Sequence, residues 1–185
     1  PDDPVDGQPV ATWSDKGPNG KDFTQTILGS KPTYETGKQG GLPSLLFDGG
    51  DFLIHGDALS DSTQGDVFTV GSRGDNNDIQ FHAATSDEAT TSQYLGFNAS
   101  VGNAASPNFA VETIAYYSPF DVAQGGTLTA DTVYLVEWNS TGSAFGISLN
   151  GSAQTITTRS GTDSGKWWGD MPGRDNWTIG GLMRT

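Results

Sequence analysis

Apolar residues recur along this chain in short bursts set between Gly, Asp, Asn and Pro clusters, rather than at helical spacing. Gly56 to Leu59 is the one stretch that could close a turn of helix. The rest reads as strands. Leu45-Leu46-Phe47 leads through the turn-like Asp48-Gly49-Gly50-Asp51 into Phe52-Leu53-Ile54. Val67-Phe68-Thr69-Val70 is apolar on both faces, the pattern of a central strand, and Phe47, Val70 and Ile147 are expected to share one interior. Tyr94-Leu95-Gly96-Phe97 and Val111 to Tyr117 follow. From Thr132 to Trp138, Val133, Leu135 and Glu137 alternate with Tyr134, Val136 and Trp138. The clearest element is a hairpin in which Phe145, Ile147 and Leu149 alternate with Gly146 and Ser148 before Asn150-Gly151. Asn-Gly tolerates the positive φ angles of a two-residue turn, which would set Leu149 against Ser152, Ile147 against Gln154 and Phe145 against Ile156. A last run spans Trp177 to Leu182. Many short strands with regular turns, no internal repeat and no linker predict one all-β domain over 1–185, a two-sheet antiparallel β-sandwich.

Composition narrows what such a sandwich can do. The chain has 185 residues, enough for a core without disulfide staples, and no cysteine, which excludes thiolate metal sites and Cys nucleophiles. The net charge of -13 and the scattering of nine basic residues argue against nucleic acid or an anionic membrane as partner. Only Glu35, Glu88, Glu112 and Glu137 are glutamate; the other acidic residues are aspartate, a turn former, so the charge belongs on loops. No run approaches the ~20 apolar residues of a membrane-spanning helix. The opening Pro1-Asp2-Asp3-Pro4, with no methionine, reads as part of a longer polypeptide.

The stretch Val10-Ala11-Thr12-Trp13-Ser14-Asp15-Lys16-Gly17-Pro18-Asn19-Gly20-Lys21-Asp22-Phe23-Thr24-Gln25 resembles the W-x-D-K-S-G-N-G-x-x-x-x-Q opening of concanavalin A-like, laminin G-like jelly rolls. Gly41 to Gly49 is similar to that family's G-x-P-x-x-x-F-D-G strand and turn, Ile147 to Gly151 to its hairpin, and Trp177 to Gly181 to its late strand. The motifs cover nearly the whole chain in the right order. The resemblance implies a jelly roll found in bacterial surface proteins and phage structural proteins. Two departures stand out: the strand that usually precedes the Trp segment is missing, and so is the one that usually closes the fold. Either the chain is a fragment or a partner completes the sheet.

Candidate chemistry is sparse. Glycosidases of this superfamily carry alternating carboxylates on one strand, and retaining hydrolysis needs the pair ~5 Å apart. No glutamate here has an aspartate two residues later, so no catalytic pair is expected and the chain is read as non-enzymatic. His55 and His82 show no metal-ligand spacing. Calcium, which superfamily members often hold at a loop rim, finds its densest oxygen cluster at Asp75, Asn76, Asn77 and Asp78, with Asp48 and Asp51 as a second; turn chemistry is the alternative for both. Of five tryptophans, Trp13, Trp138 and Trp177 sit in strand-like or family-core positions and are expected to be buried. Trp167 and Trp168 lie in a polar stretch with Asp170 and Arg174. They form either a stacking platform for a sugar, with Asp170 and Arg174 serving its hydroxyls, or a loop anchored by aromatic packing. Arg73-Gly74-Asp75 and the four Asn-x-Ser/Thr sites are read as chance matches.

Two functions remain open. One is a lectin-like, glycan-binding recognition or adhesion module of a larger extracellular or cell-surface protein. The other is a structural virion domain, such as a capsid decoration or fibre domain, whose partners are protein subunits.

Overall fold

A computed structural model describes residues 5–56, 61–73, 80–98, 110–116 and 120–183. Fifteen strands run in chain order: β1 (Thr12–Trp13), β2 (Phe23–Thr24), β3 (Thr33–Gln39), β4 (Leu42–Leu46), β5 (Leu53–His55), β6 (Gly65–Gly71), β7 (Phe81–Ser86), β8 (Tyr94–Asn98), β9 (Ala110–Tyr116), β10 (Asp121–Thr127), β11 (Tyr134–Ser140), β12 (Phe145–Leu149), β13 (Ser152–Ala153), β14 (Thr157–Ser160) and β15 (Asn176–Ile179). A nine-stranded sheet has the order β1-β2-β5-β15-β7-β8-β9-β10-β14, and a four-stranded sheet the order β13-β12-β11-β6. The β3-β4 pair stands beside them. Every pairing between these strands is antiparallel. The all-β, two-sheet sandwich expected from the sequence is the observed fold.

The core lies where the two sheets face each other. Leu95, Phe97, Ala115 and Ala123 point in from the large sheet, and Val136, Trp138, Phe145, Ile147 and Leu149 from the small one. The hydrophobic alternation of β12 is therefore real: its three apolar residues are buried while Gly146 and Ser148 are not. Each such side chain contributes ~1.5–3 kcal/mol through burial. Phe97 is the hub, with ring centroids of Trp138, Trp167 and Trp177 at 5.8, 5.2 and 6.3 Å. The large sheet is also covered on its other face, where Tyr94, Ile114 and Val122 pack with Phe81 and Leu182. There Gly96 leaves room for the Phe81 ring, which any Cβ at that position would strike.

The hairpin forms as read, with Asn150 and Gly151 at φ 50° and 78° and Leu149 opposite Ser152. Gln154 N–H donates to the Ile147 carbonyl at 2.8 Å, but the pairing stops there. Phe145 N–H donates instead to Asp163 Oδ1 at 2.9 Å, and Thr157–Ser160 crosses to pair with β10 in the other sheet. Ile156 reaches the core by packing, not by pairing with Phe145.

The reading of Val67 to Val70 as a central strand is corrected. β6 ends the small sheet, and strand alternation turns Phe68 and Val70 outward, 61% and 63% exposed. Val70 therefore does not share the interior with Ile147. Its register partner Leu135 is exposed on the same face. Phe47 is half-buried elsewhere, against Gly180. The Gly56 to Leu59 stretch is described only at Gly56, which is not helical; 57–60 lie outside the described residues.

The segment after β14 is fastened by one buried carboxylate. Asp121 accepts from the backbone N–H of Thr162 at 2.7 Å and of Ser164 at 3.3 Å, and from the Ser164 hydroxyl. Gly161, at φ 78°, passes so close that a Cβ there would overlap that carboxylate. Removing the acceptor leaves its donors without their partner, at ~1–3 kcal/mol. Asp121→Ala is expected to lower the Tm by several degrees in calorimetry, since 1 kcal/mol corresponds to roughly 2–4 °C at this size. An unchanged Tm would remove Asp121 as the fastening point.

Candidate functional site

The segment from Gly161 to Asp175 carries the four residues singled out for ligand contact, and the structure separates them. Trp167 is fully buried, its ring against Phe97 and, at 4.6 Å, against Trp168. Asp170 is exposed but turns its Oδ2 back to accept from Trp167 N–H at 2.9 Å, closing the short 3-10 turn Trp168–Asp170. Arg174 donates from Nη1 to the Met171 carbonyl at 3.2 Å and pairs through Nη2 with Asp61. Trp168, half-buried and edge-on to Trp177 at 5.1 Å, is the member that lines a cavity. Burial therefore leaves Trp167 no face for stacking, while Asp170 and Arg174 hold the turn in shape.

The cavity follows from the unequal sheets. Four strands cannot cover nine, so the inner face of β15, β5, β2 and β1 extends past β6. Along this overhang lie two adjoining hollows. One, of about 350 Å³, is bounded by Asp66 to Thr69 of β6, by His82 and Ala83 of β7, and by Phe23, Trp168, Trp177 and Ile179. The other, of about 440 Å³, is bounded by Trp13, Ser14, Asp15, Lys16, Asn19 and Lys21 together with Phe23 and Ile179. Trp13, expected to be buried, is instead 48% exposed here. Its strand is only two residues long and lies at the end of the large sheet, paired with β2.

The polar side of this cleft is a self-organised loop. Asp15 accepts from the backbone N–H of Gly17 at 2.7 Å and of Lys21 at 3.0 Å, while its own N–H donates to Asp22 Oδ1 at 2.8 Å. The Lys21 N–H, then the Gly17 N–H, holds the Asp15 carboxyl below the usual carboxylate range. The Asp22 carbonyl lies 2.9 Å from His55 Nδ1; a carbonyl only accepts, so that nitrogen carries the proton. The His55 ring in turn packs on Phe23 at 5.9 Å. The loop presenting Lys16, Asn19 and Lys21 is thus fixed to β5 and β2 rather than free to wander.

His82 belongs to the other hollow. Its Nδ1 lies 2.7 Å from the Thr69 hydroxyl and its ring meets Trp138 edge-on at 5.6 Å. Burial pushes its pKa down to about 4.

The remaining candidates sit elsewhere. Asp75, Asn76 and Asp78 fall outside the described residues, as does Asn77. Asp48 and Asp51 make turn contacts: Asp48 Oδ1 accepts from Gly50 N–H at 3.1 Å and Asp51 Oδ2 from Asp48 N–H at 3.2 Å. Burial raises the Asp51 pKa. Among the described residues, no group of three or more His, Asp or Glu is placed to hold a metal ion. Arg73 is buried, and the two residues after it lie outside the described set.

No family model matches this chain, and no curated protein does. Among solved structures, the CBM40, a carbohydrate-binding module, of the Ruminococcus gnavus IT-sialidase bound to α2,3 sialyllactose is similar to it. The TM-score is 0.56, with 13% identity, over 97% of this chain and 80% of that one. What the two share is the sandwich. At that identity the likeness concerns strand arrangement, and the residues of the cleft have to be judged on their own chemistry.

His82 ties the cleft to pH. Its folded pKa of about 4 lies below the ordinary histidine value of 6.5, so between these values the unfolded chain binds more protons than the folded one. Its contribution is complete above pH 6.5 and is lost as pH falls towards 4. Thermal melts across that window should show the Tm falling with acidification, and a His82→Gln variant should lose part of that slope. Identical slopes would mean that His82 ionises freely in the fold.

Proposed function

We propose that this domain is a non-catalytic glycan-recognition module of a larger extracellular protein, and that it reads its ligand in the cleft beneath the overhang. The observation that carries the proposal is the half-exposed Trp13 indole, set in a hollow beside Lys16, Asn19 and Lys21. A pyranose ring offers an apolar C–H face and a rim of hydroxyls. Binding it takes an aromatic plane and a few fixed donors and acceptors, the usual make-up of a small-ligand site. The fold likeness to a carbohydrate-binding module supports this reading. So does the rigidity of the loop carrying the polar groups, since pre-ordered groups bind at lower entropic cost.

Within this reading the four residues of the Gly161 to Asp175 segment divide their work. Trp168 contributes a wall of the cleft, and Trp167, Asp170 and Arg174 position it. A glycan array followed by calorimetric titration of the strongest binder provides the test. Trp13→Ala is expected to weaken binding by roughly 30-fold or more, the loss of ~2 kcal/mol typical of an anchoring aromatic. Its melting temperature should stay within about 2 °C of the parent. Trp167→Ala should unfold the domain or lower its Tm sharply, because a buried tryptophan is worth ~3–5 kcal/mol. Silence across the array, or unchanged binding by Trp13→Ala, defeats the reading.

One observation favours the second reading, a particle-surface domain whose partners are protein subunits. Phe68, Val70, Val133 and Leu135 are 61%, 63%, 41% and 40% exposed, and Val70 and Leu135 are register partners on the outer face of the small sheet. Apolar side chains gathered in this way mark protein contacts. The doubly substituted Val70→Ser, Leu135→Ser chain should then fail to join particles that the parent joins in fixed stoichiometry, with its Tm preserved. Incorporation equal to the parent's would remove that face from consideration.

A further inference from the structure

We infer that the cleft takes two or more consecutive sugar units of a glycan chain, one in each hollow, rather than a single terminal sugar; this rests on the glycan reading. The two hollows are not separate sites. They share Phe23 and Ile179 as lining residues, a common border on the floor of the overhang. At about 440 and 350 Å³, each falls near the lower end of the ~300–1,000 Å³ spanned by small-ligand sites. Each is therefore suited to one ring, with the shared border beneath the linkage between two.

The halves also differ in chemistry in a way that suits successive units. The larger has one exposed indole and side-chain polar groups from the Ser14 to Lys21 loop. In the smaller, the half-buried Trp168 supplies aromatic surface over the buried Trp177, and β6 forms a wall. Four consecutive residues of that strand, Asp66 to Thr69, border the hollow. A strand that presented a face would contribute only alternate residues, so it is the edge of β6 that borders it. Among the described residues no strand pairs with this edge. An unpaired edge presents backbone N–H and C=O groups in a row, a fixed set of donors and acceptors for ring hydroxyls. One half thus reads a sugar through side chains and the other through main chain.

The test is titration with ladders of β-1,3-glucan and of chitin oligosaccharides from one to six units, with α2,3 sialyllactose set against free sialic acid and free lactose. In at least one series, affinity should rise roughly tenfold or more between one unit and two or three, then level off, because the second unit binds as a tethered group. Trp13→Ala and Trp168→Ala, each removing aromatic surface from a different half, should both remove most of that gain, with the Tm of each variant measured beside its binding. The weak binding of a single unit should be lost in only one of the two variants. A single unit that binds as tightly as the longest member overturns the two-unit cleft and leaves the glycan reading standing. Silence across every ladder and across the array overturns both. So does saturable binding of an extended apolar peptide that Phe68→Ala abolishes while no glycan binds.

Discussion

A four-stranded sheet laid on a nine-stranded one leaves part of the larger sheet without a partner. Where the layers coincide, Phe97 gathers three tryptophans around itself and the interior is closed. Where they do not, Phe23 of β2 and Trp177 and Ile179 of β15 line hollows beside the edge of β6. An apolar floor left in this way has two ordinary fates, to be filled by loops or to be kept for a ligand. This chain does some of each. The Gly161 to Asp175 segment packs Trp167 into the core and Trp168 against the floor, and the Ser14 to Lys21 loop borders the far end with polar groups.

Electrostatics follows from the same geometry. Several of the aspartates behind the acidic excess are committed to backbone amides. Asp15, Asp48, Asp121 and Asp163 each accept backbone N–H bonds. Asp15 and Asp48 staple turns, while Asp121 and Asp163 tie segments far apart in sequence.

The fold was legible because its signals are local. Alternation in β11 and β12 and the Asn150-Gly151 turn place Val136, Trp138, Phe145, Ile147 and Leu149 inside without any knowledge of topology. What failed was everything that depends on where a strand lies in its sheet. Val67 to Val70 has the two-sided apolar pattern of a central strand, yet it is an edge, and no local feature separates the two cases. The same blindness affected the tryptophans. Trp13 sits in a family-like core motif and is half-exposed, because its strand lies at the end of the larger sheet. Trp167 sits in a polar, glycine-rich stretch and is fully buried, because Asp121, Asp163 and Asp170 draw that stretch inward. The signal that could have exposed the error is the density of Asp, Asn and Lys directly after Trp13, which is unlike the sequel to a buried strand.

The rim of β6, unpaired among the described residues and flanked by outward-facing Phe68 and Val70, carries a further consequence for the molecule in bulk. Such a rim can zip onto another copy, and what opposes it at neutral pH is mutual repulsion between molecules of charge -13. That repulsion vanishes near the isoelectric point of about 4.1, close to the pKa of about 4 of His82. Colloidal and conformational safeguards therefore lapse together, and surroundings near pH 4 are where this domain becomes prone to precipitate.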